Sequence, residues 1–331
     1  MKRPLMLILL FIILLVLAFI MAMCMGKYSV TPLDSLRIIF SKTENIPEMS
    51  INVVLGLRLP RILASMLIGA ALSVSGTVYQ SVFRNPLVSP DYLGVTGGAT
   101  VGAAAAILLS MGTIYISLFA FIGGIGAMML TMLIPVLLRN NANVMLVMAG
   151  IIVGAAMSSI LGFLKYIADS DSQLASIVYW TMGSFSYISM SDLLVAVPII
   201  LIPILFLMSI SYQIDILSIG EDEAKTLGVN VTLVRTLVLL SATLITACSV
   251  CLAGTIGWVG LIIPHLGRLL VGPSTKRLIP LAAVTGALFL LIVDTVTRTI
   301  STTEMPVSIL TGALGVPFYC WLLYKQRKEL I

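Results

Sequence analysis

Long apolar stretches separated by short polar turns recur along the whole chain. Leu5–Met25 contains only apolar residues, and at about 1.5 Å per helical residue it is long enough to cross a hydrocarbon core of about 30 Å. About ten such stretches can be delimited, at residues 5–25, 53–80, 92–110, 113–137, 144–167, 192–210, 232–254, 257–271, 279–301 and 306–324. The pattern predicts an all-α, polytopic membrane protein with about ten transmembrane helices in a single transmembrane domain, residues 1–331.

Composition agrees with a membrane protein and excludes several other classes. Of the 331 residues, 59% are hydrophobic and 10% are charged, and the mean hydropathy is +1.12. The net charge of +5 is spread over the turns, so we expect no nucleic-acid partner. The four cysteines lie in apolar surroundings and His265 is the only histidine, a set that does not suit a zinc site. We therefore expect no resident metal and no bound cofactor.

Basic residues set the expected orientation in the membrane. When the N-terminus is placed in the cytoplasm, most of the 19 Lys and Arg residues fall on the cytoplasmic side, as the positive-inside rule requires. An even number of spans returns the C-terminus to the same side. This N-in, C-in topology makes residues 216–231 cytoplasmic.

That cytoplasmic segment, ILSIGEDEAKTLGVNV, carries three consecutive acidic residues. Ser218 and Glu221 match a capping box, and Gly228 suits a left-handed stop, so the segment is predicted to be a short capped helix. One interpretation is a solvated connector between two spans. The other is a docking element that buries Ala224 and Leu227 against a partner while the acids stay at the rim.

A second short helix is predicted in the first polar loop, on the outer side. Thr31 can cap it, Pro32 suits its first position, and Asp34 favours its positive end. Leu33, Leu36 and Phe40 share one face of this helix. The pattern is typical of a helix that lies on the membrane interface.

Two segments share a Gly-Thr to Pro spacing. Gly76-Thr77 precedes Pro86 by the same interval that separates Gly254-Thr255 from Pro264. In the predicted topology the first copy runs inward and the second outward, as an inverted-topology repeat would. Chance recurrence of Gly and Pro is the competing interpretation.

Four stretches together resemble one transport family. They are residues 58–99, which include SGTVYQSVFRNPLVSPDYLGVTGGA, residues 220–229 (GEDEAKTLGV), residues 254–268 (GTIGWVGLIIPHLGR) and residues 310–323 (LTGALGVPFYCWLL). In this order they are similar to the FecCD-type permease subunits of iron-siderophore, haem and cobalamin ABC importers. The resemblance implies a homodimer in a bacterial or archaeal cytoplasmic membrane, two ATP-binding subunits inside and a substrate-binding protein outside.

The resemblance also implies that residues 216–231 are a coupling segment that receives the ATPase stroke. Its candidate coupling residues are Ser218, Glu221, Ala224, Leu227 and Gly228. No G-x-x-x-x-G-K-[ST] motif occurs in the sequence, so this chain is not expected to hydrolyse ATP. ATP and Mg would be used by the partner subunit, and this chain would be a transport subunit and not an enzyme.

Three arginines match positions at which the family presents basic groups to its binding protein. Arg58, Arg61 and Arg298 fall near the outer ends of spans, and a guanidinium pairs bidentately with carboxylate. The resemblance therefore implies a docking role. The alternative for each is a side chain that anchors its helix at the membrane interface.

Further candidates concern the path itself. The resemblance implies that Asn85 and Leu87 contribute to a cytoplasmic gate, and Asn141 and Asn143 are further gate candidates. A plain interhelical turn is the alternative. Small residues recur every four positions in the fifth predicted span, at Gly150, Gly154 and Ser158. This spacing allows close helix approach, and it indicates either packing or a lining of the dimer axis.

Other functions remain open from the sequence. An ion-coupled secondary transporter needs ionisable groups within the membrane, and Asp294 with Arg298, on one helical face, is the candidate pair. The other interpretation is that these two residues neutralise each other near the outer end of their span. A permease of the same family for a small oxyanion such as molybdate is a second alternative, and a non-transporting membrane scaffold is a third. No residue identified in the sequence names the substrate.

Overall fold

The chain is a bundle of helices, described here from a computed structural model that covers residues 2–40, 46–139, 143–300 and 304–326. A π-helical stretch, Asn52–Arg58, leads into α4, and a 3₁₀ turn, Pro90–Leu93, precedes α5. The α-helices are α1 (Lys2–Cys24), α2 (Pro32–Ile39), α3 (Glu48–Ile51), α4 (Leu59–Val82), α5 (Val95–Leu108), α6 (Thr113–Leu137), α7 (Asn143–Ile167), α8 (Gln173–Met182), α9 (Met190–Ser209), α10 (Ser211–Ile219), α11 (Glu221–Thr226), α12 (Val231–Ala253), α13 (Val259–Val271), α14 (Thr275–Ile300) and α15 (Val307–Gln326).

Each predicted apolar stretch coincides with one of these helices. Among the residues that the structure describes, seven helical segments are long and apolar enough to cross a membrane, namely α1, α4 with the turns that lead into it, α6, α7, α9, α12 and α14. Three further apolar helices, α5, α13 and α15, are shorter. The all-α, polytopic fold class is confirmed, and within the described residues no strand occurs.

Helix α4 lies at the centre of the bundle, and nearly all of its residues are buried. Glycines allow its neighbours to approach closely, because a Cβ atom at Gly69 would overlap the backbone of Gly286 in α14. A Cβ atom at Gly76 would overlap Gly260 in α13 in the same way. Small residues are the usual means of close helix contact in membranes. The core therefore forms where α12, α13 and α14 surround α4.

Two local predictions have different outcomes. Thr31 caps α2 by accepting a hydrogen bond from the Asp34 backbone N–H at 3.1 Å, so the predicted helix in the first polar loop is confirmed, and its outer location stays a prediction. The two Gly-Thr segments, in contrast, have different conformations. Gly76 lies inside α4, whereas Gly254, with φ of 69°, ends α12. The two copies of the motif thus do not adopt the same local structure. An inverted repeat of the whole fold stays a prediction.

Candidate functional site

The candidate residues fall mainly into two regions, at opposite ends of α4 and α14. The acidic end contains α10, α11, the last turn of α4 and the first turn of α14, where Arg84 donates to the carbonyl oxygen of Ile219. The arginine end contains the first turn of α4, the last turn of α14 and the last turn of α1, where Arg298 donates to the carbonyl oxygen of Ala22.

At the acidic end, the predicted helix starts later than the sequence indicated. Helix α10 continues to Ile219, and Gly220, not Ser218, precedes α11. Ser218 lies in the last turn of α10, where its hydroxyl donates to the carbonyl oxygen of Asp215 at 2.6 Å. The predicted capping box is therefore wrong, because a Ser within a helix bonds back to the preceding turn and does not cap the next helix.

Helix α11 has one buried and one open side. Ala224 is fully buried in a cluster with Ile216, Leu217 and Val231 of the same chain. Leu227 is 60% exposed. Ala224 thus packs α11 against its own subunit, and Leu227 is the apolar side chain after α11 that is accessible to another protein.

The charged residues of α11 are likewise divided between a side that faces the bundle and an exposed side. Glu221 forms an ion pair with Arg235 of α12, which holds the start of α11 against the bundle. Asp222 pairs with Lys225 at 3.1 Å within the exposed surface. Gly228 has φ of 77°, so the predicted left-handed stop is confirmed. The open side of α11 therefore offers Leu227 next to exposed charged groups.

Asp215 connects α10 to α14, a contact that the sequence did not reveal. Its carboxylate accepts hydrogen bonds from the Thr275 backbone N–H at 2.6 Å and from the Ser274 hydroxyl at 2.9 Å. Thr275 in turn donates to the carbonyl oxygen of Ser211 at 2.7 Å. Because α14 has 26 residues, Asp215 connects α10 to a helix that extends about 39 Å to the arginine end.

At the arginine end, Arg61 joins two acidic groups. Its guanidinium lies 2.8 Å from Asp294 and 2.7 Å from Glu304, and Ser186 also hydrogen-bonds to Glu304. Sequence spacing had suggested Arg298 as the partner of Asp294, but that pair is 3.8 Å apart. The prediction named a secondary partner, because the closer contact comes from another helix.

Arg58 and Arg298 hold the end of α1. Arg58 donates to the carbonyl oxygen of Met23 at 2.7 Å and to that of Tyr28, and Arg298 donates to Ala22. The last carbonyl groups of a helix lack partners within the helix, and basic side chains satisfy them. The exposed fractions of Arg58, Arg61 and Arg298 are 5%, 8% and 8%. Their guanidinium groups bind inside the subunit, and the docking role stays a prediction.

The gate candidates lie in turns. Asn85 accepts a hydrogen bond from the backbone N–H of Leu87 at 2.9 Å, which tightens the turn after α4, and Leu87 is 48% exposed. Asn143 begins α7. Asn141 lies outside the described residues. Asn85 and Leu87 thus lie together in one turn. Their role in a gate stays a prediction.

The small residues of α7 face two directions. A Cβ atom at Gly150 would overlap the carbonyl oxygen of Tyr92, so this glycine serves close packing within the subunit. At Gly154 no atom lies within 4 Å of that position, and Ser158 is exposed. Packing thus accounts for Gly150, whereas Gly154 and Ser158 remain candidates for the dimer axis.

Comparison with known proteins shows which family this is. The FecCD transport family matches residues 14–325. The chain is 37% identical over 318 residues to the molybdate import system permease MolB of Haemophilus influenzae, covering 96% of this chain and 94% of that protein. It is 38% identical over 282 residues to the hemin transport system permease HmuU of Yersinia pestis, covering 83% and 84%.

A solved structure agrees with these sequence relatives. A metal-chelate type ABC transporter in an inward-facing conformation superposes with a TM-score of 0.88 and 36% sequence identity, covering 96% of this chain and 98% of the other. Family, length and fold therefore coincide over nearly the whole chain. The chain belongs to the FecCD transport family, as a membrane permease of the ABC type that is not itself an enzyme.

Proposed function

We propose that two copies of this chain form the permease of an ATP-driven importer that carries a metal chelate inward. The cargo class is a ferric siderophore, haem or cobalamin. Relatives with such names support it, including the hemin permease and the cobalamin permease BtuC of Halobacterium salinarum, which is 37% identical over 279 residues. The proposed site of action is the cytoplasmic membrane of a bacterium or archaeon.

In this proposal the acidic end faces the cytoplasm, with both termini inside. Basic residues near that end support the orientation, namely Arg84, Lys225, Arg235, Lys276 and Arg277, since cytoplasmic turns carry an excess of Lys and Arg. The arginine end then faces the binding protein. Two ATP-hydrolysing subunits, which use ATP and Mg, contact α11.

The observation that carries the proposal is the two-sided construction of α11. Its inner side is fixed by Ala224 and by the Glu221–Arg235 ion pair, and its outer side leaves Leu227 open. A partner that binds Leu227 can displace α11. The displacement then reaches the bundle because Asp215 links the adjacent α10 to α14 by hydrogen bonds. Within this coupling segment, Ser218 lies in the last turn of α10 and Gly228 follows α11.

Vesicle uptake tests this coupling. The permease is reconstituted with its own ATPase subunits and binding protein, and Leu227→Asp is expected to reduce uptake per ATP hydrolysed by at least about tenfold, because a carboxylate cannot fill an apolar groove. Leu33→Asp on α2 is the matched control, since Leu33 is 58% exposed and Leu227 60%. Normal uptake by Leu227→Asp would contradict the coupling role.

Binding-protein docking by Arg58, Arg61 and Arg298 remains part of the proposal. An acidic group of the binding protein would have to compete with Glu304 for Arg61, because Glu304 is the exposed member of that ion pair. We expect Arg61→Glu to lower the stimulation of ATP hydrolysis by the binding protein, and Arg37→Glu, on exposed α2 at the same end, to leave it unchanged. Equal effects of the two substitutions would contradict a specific role.

The path through the dimer completes the proposal. Asn85 and Leu87, with Asn141 and Asn143, would close its cytoplasmic gate. Gly154 and Ser158 would line its axis. The open space at Gly154 supports this assignment, because a residue without a side chain lets a second helix approach closely there.

Two alternatives have specific tests. Molybdate import is supported by the MolB relative, and uptake of labelled molybdate by the complete importer would favour it. A secondary carrier would use Asp294 as an ion site, but this residue is fully buried and paired with Arg61. Gradient-driven uptake without ATPase subunits that stops on Asp294→Asn would favour the carrier.

A further inference from the structure

A cavity of about 170 Å³ lies between α4, the turn before α5, and the break between α12 and α13. Its lining includes the polar residues Ser89, Asp91, Thr96, Thr246 and Thr255, together with Trp258. A space of this size holds several water molecules. It is therefore large enough for part of a cargo molecule or for a hydrated ion.

Asp91 is the charged group of this cavity. Its carboxylate accepts hydrogen bonds from the Thr96 hydroxyl and, at 3.3 Å, from the Ser89 hydroxyl. Along the described ranges, no Lys or Arg forms an ion pair with Asp91. A carboxylate has about four acceptor positions, so the two hydroxyl donors leave Asp91 with free acceptor capacity toward the cavity.

The depth of Asp91 excludes a position facing lipid. The adjacent Tyr92 packs against Gly150, about two turns into α7, and Pro90 packs against Gly260, which itself touches Gly76 inside α4. All three glycines belong to apolar helices of the bundle. Asp91 is nevertheless exposed on the subunit surface. Because a charged group at this depth faces protein or water and not hydrocarbon, the space in front of Asp91 is either covered by protein or filled with water.

Trp258 separates the cavity from α15. Its backbone has φ of 73°, a left-handed conformation that is rare for a large side chain. The indole packs against Gly315 and lies 6.1 Å from the Tyr319 ring. A cavity lined by both an aromatic residue and a carboxylate suits a cationic group, because a ring face attracts positive charge.

We propose that this cavity is a negatively charged subsite on the permeation path, which admits a cargo surface bearing positive charge or hydrogen-bond donors and disfavours a free oxyanion. The inference rests on the proposed import function and narrows its substrate class. Cargo that touches the subsite donates hydrogen bonds to Asp91 and packs on Trp258. An oxyanion meets one fixed negative charge from each subunit of the dimer.

Charged thiol reagents test the subsite without knowledge of the cargo. The four cysteines, Cys24, Cys248, Cys251 and Cys320, are replaced by Ala, and Thr255→Cys is the reporter in the reconstituted full chain. A trimethylammonium-ethyl methanethiosulfonate should react faster than its sulfonato-ethyl counterpart. We expect Asp91→Asn to lower this ratio of rates about tenfold, the effect of a unit charge several Å away in a partly aqueous cavity.

Two variants keep the result interpretable. Asp91→Glu preserves the charge and should preserve the ratio of rates, also if Asp91→Asn folds poorly. Asp34→Asn removes an acid from exposed α2 and should leave the ratio unchanged. A ratio that Asp91→Asn does not alter would overturn the proposal. A reporter that reacts with neither reagent would overturn it as well, because the cavity would then not be reached from water.

Uptake separates this inference from the proposed function. In vesicles that contain the complete importer, the wild type should take up a labelled ferric chelate and not labelled molybdate. Molybdate uptake by the wild type would overturn the substrate class and leave ATP-driven import intact. Absence of ATP-dependent uptake of every probe would overturn the proposed function, whereas the thiol experiment requires neither ATPase subunits nor a binding protein.

Discussion

The arginine end and the acidic end of the bundle use charge in opposite ways. At the arginine end, Arg61 and Asp294 are buried, and they lie 2.8 Å apart. At the acidic end, Asp222 and Lys225 pair on the surface, with side-chain exposures of 93% and 61%. A charged residue near the end of a membrane helix can therefore bind within its own subunit as readily as it can contact a partner.

This contrast has a physical origin in solvation. A charge removed from water must be matched by a partner, and the loss of that partner is costly because an uncompensated charge stays buried. An exposed pair gains little from its contact, since water screens both groups. Substitutions at the two ends should therefore have very different effects on stability.

The largest effect is expected for Asp294→Asn. This substitution leaves Arg61 and Arg298 with one carboxylate fewer in a buried environment, and it should lower the free energy of unfolding by roughly 3 to 5 kcal/mol. Chemical denaturation in detergent measures this loss. Asp222→Asn on α11 is the matched control, with an expected change within about 0.5 kcal/mol. Equal stability of the two variants would contradict the contrast between the ends.

An intermediate effect is expected for Asp215→Ala, which removes the fastening of α10 to α14. The Thr275 N–H and the Ser274 hydroxyl lose their acceptor, so stability should fall by about 1 to 2 kcal/mol. Asp169→Ala is the control, because Asp169 also accepts an N–H and a hydroxyl from one nearby residue but on the exposed surface. If α14 carries the stroke, Asp215→Ala also lowers uptake per ATP, whereas Asp169→Ala does not.

The smallest effect on stability is expected for Glu221→Gln. Its ion pair with Arg235 is partly exposed, and such pairs contribute about 0.2 to 1 kcal/mol. A double-mutant cycle with Arg235→Gln measures the coupling energy. A coupling energy above about 3 kcal/mol would show that this pair resembles the buried ones at the arginine end. Glu223→Gln on the same helix serves as the control.

Much of the fold could be predicted from residue order. The apolar stretches located every long helix, Thr31 and Gly228 marked helix ends that the structure contains, and the quoted motifs pointed to the FecCD family. Each of these signals depends on neighbours within a few positions or on a run of similar residues. Such interactions are local, so the sequence carries them directly.

The candidate sites were harder to predict, because they depend on distant parts of the chain. Ser218 resembles a helix N-cap in the sequence, but Gly220 is the residue that separates α10 from α11. Asp215 gave no local sign of its bonds to the start of α14, 60 positions away. No local pattern indicated that Asp91 and Trp258 border one cavity.

By itself, the sequence determined that this chain is a helical membrane protein, since hydrophobic length and local capping are properties of consecutive residues, and its motifs carried the resemblance to the FecCD permeases. Only the tertiary structure decided which charges face inward. Arg58 binds a carbonyl group 35 positions away, Arg61 a carboxylate 233 away, and Arg298 a carbonyl group 276 away. The reason is that burial and pairing of a charge depend on which helices pack together, and that packing brings together residues with no proximity in sequence.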